Sequence, residues 1–168
     1  AGSQTTTANI SKKDVTLDAI TASNKTYDGN TAAAVSGVIN SGSASGTVAG
    51  ETLSVSGAGV FNDKNAGTNK AVTVTDVTGL TKSNGTGDWN NYNLTTTGSK
   101  TTTANITPKD VTVSAITASN KTYDGNTTAQ ITSGTVANTV GGETLSVSGV
   151  GTFNDKNVGT GKTVSVAD

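Results

Sequence analysis

The chain has 168 residues, of which 32% are hydrophobic and 14% charged, with a formal net charge of −1 and a single proline; such a composition suits one or two small folded domains better than a disordered tail. It contains no cysteine and no histidine, which excludes disulfides, thiol redox chemistry and cysteine-ligated metals, and removes most of the usual catalytic bases and nucleophiles. Lysine is the only basic residue type and no apolar run is long enough for a membrane-spanning helix, so neither a nucleic-acid-binding stripe nor helical membrane insertion is expected. Threonine, a β-branched residue, supplies about a fifth of the chain and favours strands. Aromatic residues are only 4%, so any core is thin and built from small aliphatic side chains.

In chain order, residues 2–10 read as a strand, with no signal peptide at Ala1, so the chain reads as an internal fragment. Val15, Leu17 and Ala19 alternate with Asp14, Thr16 and Asp18, which predicts a half-buried strand. The turn-forming KTYDGN follows at residues 25–30, and AGETL around Glu51 is expected to form at most one helical turn. Leu53 with Val55, Val72 with Val74, Tyr92 with Leu94, and Ala104 with Ile106 repeat the period of two, each run bounded by Gly, Asn, Asp or Ser. Val111, Val113 and Ala115 restate the first alternation. No window supports a long amphipathic helix. The expected class is all-β, with six to eight short strands per unit in small immunoglobulin-like sandwiches of two antiparallel sheets; β-grasp-like units are the alternative.

The chain repeats itself. TTTANI at residues 5–10 recurs at 101–106, and the KTYDGN of residues 25–30 recurs at 121–126, both at an offset of 96. GETLSVSG from Gly50 and FNDKN from Phe61 recur from Gly142 and Phe153 at an offset of 92. The four-residue loss falls between Asn30 and Gly50, where length variation marks an exposed loop. A period above 90 residues is too long for one solenoid coil and matches a small domain. The junction falls near Ser11 and Thr107, beside Pro108, which cannot donate a ladder hydrogen bond. Residues 1–10 are therefore assigned to the last strand of a preceding unit, 11–106 to a complete unit, and 107–168 to a second unit that lacks the equivalents of 77–106.

Two motifs could carry chemistry. In Tyr27-Asp28-Gly29, repeated as Tyr123-Asp124-Gly125, Asp-Gly is a turn former, and a tyrosine packed beside a turn accounts for the motif. A calcium site on Asp28 and Asn30 is the competing reading, but the dense ligand series such sites need is missing. Trp89 and Tyr92, flanked by amides, are candidate glycan contacts, although the strand alternation at Tyr92 and Leu94 assigns them to the core. Glu51 and Glu143 are the only glutamates, one per unit, and make no acid/base pair. Lys, Asn and Glu are also ingredients of intramolecular isopeptide bonds, but the lysines here sit in polar, turn-like contexts. No catalytic, cofactor-binding or metal-binding residues are expected.

TYDGN, with ANITPKDVTV before it and FNDKNAGTNKAVTV after it, resembles the YDG-type repeats, related to MBG-type repeats, of large bacterial surface proteins. The resemblance implies a place in haemagglutinin-like or biofilm adhesins on the bacterial cell surface. Tandem copies there form an extracellular stalk between an anchoring end and an adhesive end, and no catalytic residues are implied. Near-identical repetition favours a spacer over a module that itself binds glycan or protein. The partners expected are neighbouring repeats and an unidentified host or biofilm receptor. Because residues 2–10 carry a closing strand that the second unit lacks, head-to-tail self-association by strand exchange is also expected.

Overall fold

The computed structural model describes residues 2–40 and 45–167. The chain is all-β and divides into two compact units, Ala1–Pro108 and Lys109–Asp168.

The first unit is built on a curled sheet ordered β2-β4-β5-β6-β9-β3, with β7 attached to the first half of β5. Its strands are β2 (Thr21–Ala22), β3 (Lys25–Thr26), β4 (Ala32–Asn40), β5 (Thr52–Phe61), β6 (Gly67–Val74), β7 (Thr81–Asn84) and β9 (Lys100–Thr107). A two-stranded sheet, β1 (Lys13–Val15) beside β8 (Tyr92–Leu94), supplies a second layer. β4 alternates buried and exposed residues along its whole length, as one solvated and one packed face demand. Its inward Val35 and Ile39 join Val15, Leu17, Leu53, Val55, Phe61, Val72, Val77 and Ile106 in one core. Gly37 matters to that packing: a Cβ there would lie 2.7 Å from Leu17 Cδ1, so only glycine lets the leucine reach the face of β4.

The structure departs from the sequence expectations in several places. Two pairings, β1 with β8 and β3 with β9, are parallel rather than antiparallel. Their partners come from opposite ends of the unit, so no hairpin fixes their relative direction. The strand expected over Val15, Leu17 and Ala19 stops at Val15, because the next backbone amides leave the ladder: Thr16 N donates to Ser45 O and Leu17 N to Thr96 Oγ1. Ala19 is exposed and Ile20 takes the next inward position. Around Glu51 there is a tight turn, Glu51 N to Val48 O, instead of a helical one. Short 3-10 turns occur at Val77–Gly79 and Trp89–Asn91, capped by the carboxylates of Asp76 and Asp88. Residues 2–10 form no strand, since a strand needs a ladder partner and none of the described residues pairs with them. Much of the length-variable stretch between Asn30 and Gly50 is the strand β4, and the rest of that expected loop falls in part on residues 41–44, outside the described residues.

The second unit is a four-stranded antiparallel sheet, β10-β11-β12-β13, of Thr112–Ala118, Thr128–Ala137, Gly149–Phe153 and Val164–Ser165. Ala129 and Ile131 are its buried hydrophobic residues. Val111, Val113, Leu145 and Val166, whose counterparts in the first unit are the buried Val15, Leu17, Leu53 and Val74, are exposed.

Candidate functional site

The repeated KTYDGN motif folds into a closed turn whose centre is a lysine. Gly29 has φ of 80°, a left-handed conformation that a side chain would strain, and this turns the chain back toward β4. Asp28 Oδ1 accepts from the Asn30 backbone amide at 3.1 Å, and Asn30 Oδ1 accepts from Ala32 N at 2.8 Å, pinning the turn to the start of β4. Into this ring of oxygens Lys25 extends its ammonium, donating to Asp28 Oδ1 at 2.7 Å and to Asn30 O and Oδ1 at 2.9 Å each. The same nitrogen lies 5.6 Å from the centre of the Phe61 ring. The Lys25 side chain is only 18% exposed, and a cation so enclosed needs this full set of partners.

The second copy reproduces the turn. Lys121 Nζ donates to Asp124 Oδ1 at 2.7 Å and to Asn126 O and Oδ1 at 2.9 Å each, lies 5.7 Å from the Phe153 ring, and Gly125 again has φ of 80°. A second lysine lock follows each aromatic. Lys70 donates to Asp63 Oδ1 at 2.7 Å, and Asp63 Oδ1 also accepts from Asn65 N; Lys162, Asp155 and Asn157 repeat the arrangement. The lysine hydrogen bonds, and after them the backbone amides, hold the carboxyl groups of Asp28, Asp63, Asp124 and Asp155 below the usual carboxylate range.

This geometry bears on three expectations. The oxygens that the calcium reading would recruit, from Asp28 and Asn30, converge on the Lys25 ammonium, so lysine already supplies the cation. An isopeptide bond would need a neutral amine and a protonated acid, whereas Asp28 is held ionised beside an ammonium that donates to Asn30. Tyr27 is half-buried against the core, with Lys64 Nζ 6.0 Å from its ring centre, and its backbone amide donates to Thr107 O at 2.8 Å, tying the motif to the last strand of the unit. In the second unit Tyr123 is exposed.

The aromatic pair proposed as a glycan contact is spent on structure. Tyr92 is buried, with its hydroxyl donating to Glu51 Oε2 and accepting from Val48 N, so its ring has no face to offer a sugar. The bond to the Glu51 carboxylate raises the tyrosine pKa. Trp89 packs partly buried against the core; its Nε1 donates to Ser83 O and Ser54 O, and Lys82 Nζ sits 5.0 Å from its ring centre. Sequence reasoning missed the lysine locks and the Glu51–Tyr92 latch. The K-x-x-D-x-N spacing was a signal for the lock, because it recurs unchanged; nothing local announces the latch, whose partners are 41 residues apart.

The model of the YDG domain matches residues 11–103 and again 107–168. The chain belongs to the YDG domain family. The match covers the Lys25 and Lys121 turns alike, and its break lies between Thr103 and Thr107, within β9. No curated protein and no solved structure matches the chain.

Proposed function

We propose that these YDG domains are spacer repeats of a large bacterial surface adhesin, exposed outside the cell and projecting a distal adhesive region, with no catalytic role. The observation that supports this most is the lysine-centred turn, which recurs in both copies with the same partners and distances. Chemically distinctive side chains are hydrogen-bonded within each copy: lysine satisfies aspartate, and in the first unit tyrosine satisfies glutamate and tryptophan satisfies backbone carbonyls. Repetition of such a unit adds length without adding a new binding constellation.

The exit strand of the first unit also suits a load-bearing element. β9 is held by β6 on one side and β3 on the other, so a pull along β9 has to shear both ladders together instead of peeling one bond at a time. The alternative, a module that binds glycan or protein itself, loses its best candidate with the burial of Tyr92. Small-angle scattering of the 168-residue chain tests the spacer reading. A radius of gyration clearly above the roughly 15 Å of one globule of this length is expected, and a value at that compact limit would contradict it.

A further inference from the structure

The first unit is electrically neutral, with as many lysines as carboxylates in residues 11–106. The charged residues within the strands of its curled sheet all stand on the core side: Lys25 is in register with the buried Ile106, Lys70 with Ala104, Lys82 with Val55 and Lys100 with Val74. Among the described residues, no charge faces outward from these strands. Their outer side is made of Thr, Ser, Ala, Val and Asn, including the exposed Val38 and Val60. A neutral unit with an uncharged outer face lacks the charge repulsion that keeps protein surfaces apart in solution, and a bulky hydrated group attached there would replace it.

Asn-x-Ser/Thr, the acceptor tripeptide for N-linked sugar, begins in residues 11–107 at Asn24, Asn84, Asn93 and Asn105. In a chain this rich in amides and hydroxyls such tripeptides arise by composition alone, so geometry has to decide between them. The sugar is carried on Nδ2, which must therefore be unoccupied and accessible. Asn93 Nδ2 donates to the Asp14 carboxylate at 2.9 Å and Asn84 Nδ2 to that of Asp88 at 3.3 Å, so a sugar carbon on either nitrogen would crowd a carboxylate. Asn24 is the reverse. Its Oδ1 accepts from the Asn105 backbone amide at 2.7 Å; a backbone amide can only donate, which identifies the oxygen and leaves Nδ2 with no partner among the described residues. The Asn105 side chain is held the same way by Asn69 N, but Asn105 is half-buried, whereas Asn24 and Thr26 are both exposed. Lys25 turns inward between them, so acceptor and hydroxyl share the outer side, as alternation along an extended segment requires.

We propose that Asn24, and Asn120 in the second copy, carry N-linked sugar. The same Asn-Lys-Thr recurs at residues 120–122 around Lys121, whose bonds repeat those of Lys25, so the acceptor is part of the repeat. In the transfer, Asn24 Nδ2 forms a bond to the anomeric carbon of a sugar activated as a phosphoester. The bond from that carbon to the phosphate oxygen breaks, the phosphate leaves with the electron pair, and the nitrogen gives one proton to a base of the transferase. The donor is a sugar on a nucleoside diphosphate or on a lipid pyrophosphate. Attachment leaves the bond from Asn105 N to Asn24 Oδ1 in place, so the sugar costs the fold none of its described hydrogen bonds and hydrates the uncharged outer face. The inference rests on the surface reading above, in which such a face is exposed outside the cell.

Peptide mapping by mass spectrometry on the full-length protein, taken from the cells that make it, should find sugar on the peptides holding Asn24 and Asn120 and none on those holding Asn84 and Asn93. A single hexose indicates a nucleoside diphosphate donor and a preassembled oligosaccharide a lipid-linked one. Thr26→Val, at an exposed residue, should abolish the sugar on Asn24 and keep that on Asn120, while Thr26→Ser should keep both. Protease treatment of intact cells, run in parallel, reports whether the repeats lie outside. Repeats that are exposed on the surface with Asn24 bare, sugar that persists on Asn24 in Thr26→Val, or equal sugar on Asn93 would overturn this proposal alone. Repeats protected inside the cell and bare of sugar would overturn the surface reading together with it.

Discussion

The two units carry nearly the same sequence and reach different structures, which separates what the sequence encodes locally from what a partner segment must supply. The lysine turn is local: its bonds span at most five residues, and it has the same form in both units. The register of the central ladder is also shared, since Ala32 pairs with Val60 and its counterpart Thr128 with Thr152. The length of that ladder is not. β4 and β5 pair over nine positions, β11 and β12 over four. The segment before the lysine turn is paired differently. In the first unit Lys13–Val15 lies parallel to β8 and only Thr21–Ala22 pairs with β4, whereas in the second, β10 pairs with β11 along Thr112–Ala118 with two register shifts. The 168 residues contain one copy of residues 77–98, the stretch that provides β7, β8, Leu80 and Tyr92, and the first unit folds around it.

If that stretch closes the core, the same substitution should act differently in the two copies. Leu53→Ala should destabilise the first unit by about 2–5 kcal/mol, because Leu53 is completely buried. Leu145→Ala, at the counterpart that is 53% exposed, should change stability by no more than about 0.5 kcal/mol. Urea denaturation of the two variants measures the contrast, and equal effects would break it. Gly29→Val and Gly125→Val should instead behave alike, each costing about 1–3 kcal/mol, since both glycines sit at φ of 80° and the strain is in the backbone. At Gly125 a Cβ would meet nothing within 4 Å, so no clash adds to it. A large difference between these two variants would show that the turn depends on its surroundings.

The smallest effect expected is acid sensitivity. Asp28, Asp63, Asp124 and Asp155 have folded pKa values below the ordinary 3.8, so their ion pairs stabilise above that value and are lost as the pH falls through the lower folded values. All four carboxyl groups are largely exposed to solvent and screened by salt, so the loss is modest. Unfolding midpoints of the chain and of its D28N and D124N variants should converge below pH 3.8 and diverge above it, in both units.

The repeat, the all-β class and the inward positions Leu53, Val55, Val72, Val74, Ala104 and Ile106 were legible because period-two alternation and self-similarity are local signals. The parallel pairings were not, because nothing in the composition of β1 or β8 sets their direction once some 77 residues separate them. The burial of Leu17 was legible, but not its means, which is contact with β4 rather than a strand of its own. At the candidate site the turn residues were legible, but the lysine at its centre read as a solvated charge because exposure depends on Phe61, 36 positions along the chain.

The most direct test of closure by the stretch 77–98 is amide hydrogen exchange on the 168-residue chain and on the same chain extended after Asp168 by a second copy of residues 77–107. Closure predicts that amides around Val111, Val113 and Leu145 gain the protection expected around the buried Val15, Leu17 and Leu53, and that the ladder between β10 and β11 shortens to the two pairs that β2 makes with β4. Unchanged exchange across residues 111–147 in the extended chain would contradict it.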